Sequence, residues 1–124
     1  MTEQRASYSN LPWSITINGN PIPKGRPKFY QGHAVTPEAT RDYEALVKQA
    51  AAICWQGEPT AEPVRVELRF WRGDKRQADL DNLSKAILDA LNGVAWKDDG
   101  QIIQLVAYKH YNKARPRVDI KVTR

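Results

Sequence analysis

The sequence predicts an α+β fold, a single small domain with a mixed β-sheet of about four strands and two helices packed on it, in the order β-α-β-α-β-β. Three observations lead there. Two runs place apolar residues at steps of three and four, the mark of a helix with one buried face. Four other runs read as strands, three of them alternating apolar with polar residues as a half-buried sheet requires. A chain of 124 residues without internal repeats or low-complexity tracts has room for one core and one domain. The order of elements leaves the connectivity of the sheet open.

Taken in order, residues 1–12 are expected to form a disordered lead ahead of a domain at 13–124. Met1 to Asn10 is polar and lacks an apolar signal core, so nothing in it points to export. Trp13 to Asn18 alternates and ends at the turn residue Gly19, giving the first strand. Prolines and Gly25 then break regular structure, so 20–35 is expected to be a loop carrying exposed cations. Thr36-Pro37-Glu38 supplies an N-cap, a proline at the first helical position and an acidic first turn. Tyr43, Leu46, Val47, Ala50, Ala51 and Cys54 follow at helical spacing, giving about five turns that stop at Gly57. Val64, Val66, Leu68 and Phe70 alternate with Arg65, Glu67 and Arg69, a half-buried strand ending at Trp71-Arg72-Gly73. The second helix begins near Asp79–Asp81, with Leu83, Ala86, Ile87, Ala90, Leu91 and Val94 on one face, and ends at Gly93. Gln101 to Tyr111 forms the next strand. Arg117 to Thr123 forms the last, with Val118, Ile120 and Val122 on one face.

No apolar stretch approaches the roughly 20 residues that cross a bilayer, so no membrane partner is expected. The single cysteine, Cys54, cannot form an intramolecular disulfide and fits a reducing, cytoplasmic setting. The net charge of +5 favours a polyanionic partner. The cations are grouped. Lys24, Arg26 and Lys28 share one proline-rich segment, Arg69, Arg72, Lys75 and Arg76 lead into an acidic cluster, and a third group runs from Lys109 to Arg124. Taken alone, the last group is a solubilising surface. Together with an acidic nest, the three groups favour nucleic acid.

That nest is Asp79, Asp81, Asp89, Asp98 and Asp99. Carboxylates ringed by cations make a poor solvated surface, but they suit a divalent ion held against a phosphodiester. Residues two apart in extended chain project to the same side, so Asp79 and Asp81 can reach one ion. Oxygen-only ligands suit Mg²⁺ or Mn²⁺, and no His or Cys pattern supports zinc. The plain alternative is that one aspartate caps the helix. Other D-x-D sites fail. A calcium-binding EF-hand loop starting at Asp79 needs glycine at Ser84 and glutamate at Ala90. A haloacid-dehalogenase phosphatase continues with Gly-Thr, and a nucleotide-sugar transferase needs a far longer chain. Asp81, Lys85 and Asp89 lie four apart, which for Asp89 favours a salt-bridge ladder. Lys85, one turn from the proposed metal, can stabilise charge on phosphate or position water. Asp98 or Asp99, in the turn before the next strand, would close the site from the far side.

Three segments carry a resemblance. They are Asp79-Leu80-Asp81-Asn82-Leu83-x-Lys85, Asp89-Ala90-Leu91-Asn92-Gly93-Val94, and Asp98-Asp99-x-Gln101-Ile102. The sequence resembles the RusA Holliday-junction resolvases, small endonucleases that are largely phage- and prophage-encoded. Ile22 to Pro27 is similar to the basic loop of many members, and the likeness runs from about Ile15 to Val122. It implies that Asp79, Asp81 and Asp99 bind metal, with Asp98 the alternative to Asp99, and that Lys85 is the essential lysine. Lys75-Arg76-Gln77-Ala78 stands where members carry a basic stretch, here less basic than in those with a run of arginines. The resemblance further implies a Mg²⁺-dependent homodimer, with Mn²⁺ able to substitute, that nicks four-way DNA junctions symmetrically. A two-fold junction needs two related cuts, which a C2 pair supplies.

Lys24, Arg26, Lys28, Lys75, Arg76 and Asn82 are the expected DNA contacts, the cations tracking backbone rather than reading sequence. Trp71 or Phe70 is a candidate apolar wedge at a junction centre, against the plainer reading that both serve the core or a dimer interface. Two other functions fit the same residues: a non-catalytic DNA-binding module whose aspartates only cap, and a metal-dependent nuclease of flaps or forks.

Overall fold

A computed structural model describes residues 11–124, and for Lys28 the backbone alone. Residues 1–10 of the expected disordered lead lie outside the described residues. The elements are β1 (Trp13–Asn18), β2 (Lys28–Tyr30), β3 (His33–Val35), α1 (Glu38–Cys54), β4 (Val64–Arg72), α2 (Leu80–Leu91), β5 (Ile102–Tyr111) and β6 (Arg117–Thr123). The expected α+β architecture is present: β1, β6, β4 and β5 form one mixed sheet in that order.

The sheet is antiparallel except at one seam. β1 pairs antiparallel with β6 (Ile15 opposite Ile120), and β6 antiparallel with β4 (Leu68 opposite Ile120). β4 and β5 run parallel, with Leu68 opposite Ala107. Parallel neighbours need a long crossover, and α2 lies within it. β5 is therefore an edge strand.

Alternation along β4 divides its side chains. Val64, Val66, Leu68 and Phe70 are fully buried with Val118, Ile120 and Val122 of β6 against the helices. Phe70 belongs to this core, which removes it as a junction wedge. Trp71 lies on the other face, between the Arg117 guanidinium, 3.9 Å from its ring centre, and the His110 ring at 5.2 Å.

Three expectations need correction. Residues 20–35 are not all loop, because β2 and β3 pair as a short hairpin through Gln31-Gly32, where φ is 51° and 81°. Two left-handed residues in a two-residue loop are what strand twist favours, but three-residue strands carry no readable period. At α1, Pro37 occupies the N-cap and Glu38 is the first helical residue, so Thr36 does not cap it. The buried stripe of α1 is also narrower than its apolar pattern. Thr40, Tyr43, Val47 and Ala51 are buried, while Leu46 is 50% exposed and Cys54 faces solvent.

The segment before the hairpin is pinned rather than loose. Gly25 lies so close to α1 that an added Cβ would stand 2.9 Å from a Pro37 ring carbon, and its N–H donates to the Thr40 hydroxyl at 3.0 Å. The Lys24 N–H donates to the Asn82 carbonyl at 2.8 Å. Its ammonium sits between Glu44 of α1 at 2.7 Å and Asp89 of α2 at 3.0 Å. Burial alone would lower the Lys24 pKa. The hydrogen bonds and attraction of Glu44 and Asp89 outweigh burial and raise it above the ordinary value of 10.5, so the cation persists. Lys24 is thus a clamp between two helices, not a free DNA contact.

Lys24→Met should lower stability by about 2 kcal/mol, read from urea denaturation at neutral pH. Asp89→Asn added to it should recover part of the loss, because one of two facing carboxylates is removed. Since the folded pKa is raised, the clamp's contribution is complete below the ordinary lysine value and is lost only as pH rises through the folded one.

Candidate active site

Asp79 stands at the N-cap of α2 with extended backbone (φ −72°, ψ 135°), yet its side chain makes no capping bond. Its carboxylate is exposed. Capping therefore does not account for Asp79. Asp81 lies in the first turn of α2, where a carboxylate is favoured by the exposed N–H groups of the helix end. Because Leu80 is already helical, the two aspartates do not share one extended segment, and they reach the site differently. Asn82 links them: its N–H donates to Asp81 Oδ1 at 2.9 Å, and its Nδ2 approaches Asp79 Oδ2 at 3.5 Å. Half-buried and with its carbonyl bonded to Lys24 N–H, Asn82 props the carboxylates and is poorly placed for an outward contact.

One turn on, Lys85 is exposed, and among the described residues it pairs with neither Asp81 nor Asp89. The expected ladder is absent because Asp89 turns to Lys24. Asp81, Lys85, Asp89 and Asp99 line one cleft of about 550 Å³ between α2 and β5, floored by Leu80, Leu88, Leu105 and Ala107. Asp79 is at its N-terminal end, outside the lining.

The far wall is a short 3-10 turn, Asp99–Gln101. Asp98 caps it, its Oδ2 accepting the Gly100 N–H at 2.9 Å. Gln101 completes the box by accepting the Asp98 N–H at 2.8 Å, and its amide donates to the carbonyls of Thr60 and Glu62. Asp98 is therefore engaged in holding the loop, which leaves Asp99 to face the cleft. Asp99 Oδ1 accepts the indole N–H of Trp96 at 2.7 Å, and Trp96 is fully buried. Gly93, at φ 88°, makes the turn that brings Trp96 back under the end of α2, its N–H bonding the Trp96 carbonyl at 2.8 Å. Sequence reasoning missed Trp96, for which no local pattern speaks. It also missed Gln101 as an anchor, although Asp98-x-x-Gln101 spells a capping box.

Of the expected DNA contacts, Arg26, Lys75 and Arg76 are exposed. The Lys28 side chain lies outside the described residues. Asp74 orders the segment ahead of α2. The Arg76 N–H, the Arg72 guanidinium and Asn20 all donate to it, and together they hold its pKa below the usual carboxylate range.

Among the described residues, no three His, Cys, Asp or Glu side chains stand close enough to grip a metal ion together. The donor chemistry nevertheless fits a hard divalent cation. Three carboxylates line the cleft, of which Asp89 is paired with Lys24, and Asp81 and Asp99 are not paired with a cation among the described residues. Asp79 makes no capping bond at its end, and no thiolate or imidazole lines it.

Carboxylates and an unpaired lysine around one cleft, with cations beside it on a small α+β domain, are the equipment of a metal-assisted nuclease. The chain belongs to the RusA family: the family profile, Endodeoxyribonuclease RusA, matches residues 18–123. Nucleases of this family are generally dependent on divalent metal. The chain is similar to the crossover junction endodeoxyribonuclease RusA of Escherichia coli (strain K12), 27% identical across 90% of this chain and 93% of that protein. It is 34% identical to the protein of the same name from Enterobacteria phage 82 over 51% of this chain and 53% of that one. It is also similar to the uncharacterized protein YqaN of Bacillus subtilis (strain 168), 26% identical across 87% and 93%.

Trp96→Phe should remove the donor that orients Asp99 while retaining most of the core volume. Divalent-ion affinity and cleavage rate should both fall by about 10- to 100-fold, measured by Mn²⁺ titration calorimetry and by single-turnover nicking, with far-UV circular dichroism unchanged.

Proposed function

We propose that this protein is a Mg²⁺-dependent, structure-selective endodeoxyribonuclease of the cytoplasm. It resolves four-way DNA junctions by paired symmetric nicks, acting as a homodimer in recombination and repair. The observation that carries this reading is the meeting of Asp81, Lys85 and Asp99 in one cleft beside exposed Arg26, Lys75 and Arg76. Family membership and the names of the Escherichia coli and phage relatives supply the junction.

Asp79, Asp81 and Asp99 would hold the metal, for which Mn²⁺ can substitute. When bound, a divalent ion supplies Lewis-acid stabilisation of the charge that develops on the scissile phosphate. The remaining steps belong to the chain. Trp96 fixes the rotamer of Asp99 through one oxygen, leaving the other directed to the cleft. Asn82 restrains Asp81 and Asp79 in the same way. The Lys85 ammonium, with no carboxylate partner among the described residues, is available to the non-bridging phosphate oxygens as negative charge builds there. Leu80, Leu88, Leu105 and Ala107 give the open cleft an apolar floor, which places these charges against low-dielectric surface on one side. Arg26, Lys75 and Arg76 hold backbone phosphates and confer steep salt dependence. Two such domains related by a two-fold axis match the two symmetric cuts.

The test is a nicking assay on a synthetic four-way junction beside linear duplex and flap DNA, with Mg²⁺ and with EDTA. Paired nicks confined to the junction and to metal are expected. Equal cutting of flaps would replace junction resolution by flap or fork cleavage, and binding without cutting in any metal would make this a DNA-binding module.

Asp81→Asn should abolish cleavage yet preserve or tighten junction binding, since one repulsive charge is removed. Electrophoretic mobility shift in EDTA checks the binding. Lys85→Met should lower the single-turnover rate by about 10²- to 10³-fold while leaving divalent-ion affinity unchanged.

A further inference from the structure

A second cleft, of about 420 Å³, opens where β4 and β5 end and the segment leading to α2 begins. Its lining includes Arg72, Asp74, Lys75, Arg76, Lys109 and Tyr111. Arg72 is only 7% exposed. Its Nη1 donates to the Pro21 carbonyl at 2.7 Å and its Nη2 to Asp74 at 3.3 Å. Its buried Nε finds no acceptor among the described residues. A buried guanidinium N–H without a partner is costly, about 1–3 kcal/mol, and a small turn of Arg72 toward the cleft it lines would let an anionic oxygen satisfy it. Asp74 stays ionised and offsets one positive charge, but Arg72, Lys75, Arg76 and Lys109 together leave the cleft cationic.

The two clefts are in series. Leu105 and Ala107 floor the catalytic cleft, while Lys109 and Tyr111, next on the same face of β5, line the second. Two residues along a strand advance about 7 Å, a distance on the scale of one nucleotide of a DNA strand, so a strand crossing the first cleft would reach the second. Lys109 stands at the boundary, its ammonium donating to the Ala78 carbonyl at 2.8 Å, one residue before Asp79. Lys75 lies over the Tyr111 ring, 5.3 Å from its centre, which sets a cation on an aromatic wall.

We propose that this cleft is a phosphodiester subsite for the same DNA strand that crosses the catalytic cleft. Arg72 Nε, Lys75, Arg76 and Lys109 would take the phosphate, with Tyr111 against the adjoining sugar or base. The cleft then fixes the register of the strand over Asp81 and Asp99 by holding a nearby phosphate. The inference rests on the nuclease reading of the first cleft.

The test follows the Arg72 Nε–H resonance by nitrogen-15 NMR of the full chain in EDTA. The probes are a short oligothymidylate and, separately, inorganic phosphate. A saturable shift of that resonance with the oligonucleotide, but not with phosphate at the same concentration, is expected. Junction binding by Lys75→Met should also show a salt slope smaller by about 0.9, one lost phosphate contact. An equal response to inorganic phosphate would overturn strand tracking in favour of a free-anion site. An unmoved Arg72 with shifts confined to Asp81 and Asp99 would overturn the subsite alone and leave the nuclease reading standing. No shift at either cleft would also overturn the subsite, the nuclease reading being decided by the junction nicking assay.

Discussion

The parallel pairing of β5 with β4 is the constraint on which the rest depends. Antiparallel neighbours can be joined by a tight turn, but parallel ones require the chain to travel back along the sheet. α2 makes that return journey, and its N-terminal turn carries Asp81 while its outer face carries Lys85. The strand that the crossover feeds begins at Ile102, directly after the turn that Asp99 opens. One seam therefore brings together, on two sides of a cleft, residues that are eighteen positions apart in sequence. Because β5 is an edge strand, the cleft beside it is open.

Charge within the site is sorted by its neighbours rather than by abundance. Five aspartates crowd the segment from 79 to 99, but they do different things. Asp89 is neutralised by Lys24, which also joins α1 to α2. Asp98 holds its own turn. Asp99 gives one oxygen to buried Trp96, and Asp81 is restrained by the N–H of Asn82. Among the described residues, Asp79, Asp81, Asp99 and Lys85 are left without a partner of opposite charge. The two structural aspartates keep the loop and helix in place so that the others can remain uncompensated.

The helices and the main strands were legible because their patterns are long. β4 alternates over nine residues, and α2 repeats its apolar step over twelve. The β2–β3 hairpin was not legible, since three residues cannot display a period and Gln-Gly is a weak turn signal. The α1 face was overread: Leu46 and Cys54 have the spacing of a buried stripe, but they lie beside the packed residues Tyr43, Val47 and Ala51 and stay exposed. Lys24 was misread as a DNA contact for the same kind of reason. Its neighbours in sequence are Pro, Gly and Arg, and its partners Glu44 and Asp89 are supplied from twenty and sixty-five residues away.

The sequence by itself determined which residue types were available: an aspartate-rich motif with one lysine, basic segments around it, and the periodicities of an α+β domain. These are local properties, set by side-chain chemistry and by backbone repeats of two and 3.6 residues. Only the tertiary structure decided which aspartate caps, which pairs and which faces the cleft. It also decided that Trp96 orients Asp99 and that Arg72 lies buried with one donor unpartnered among the described residues. Those assignments depend on distance across the sheet and between helices, and a side chain's partner in space is fixed by packing rather than by position along the chain.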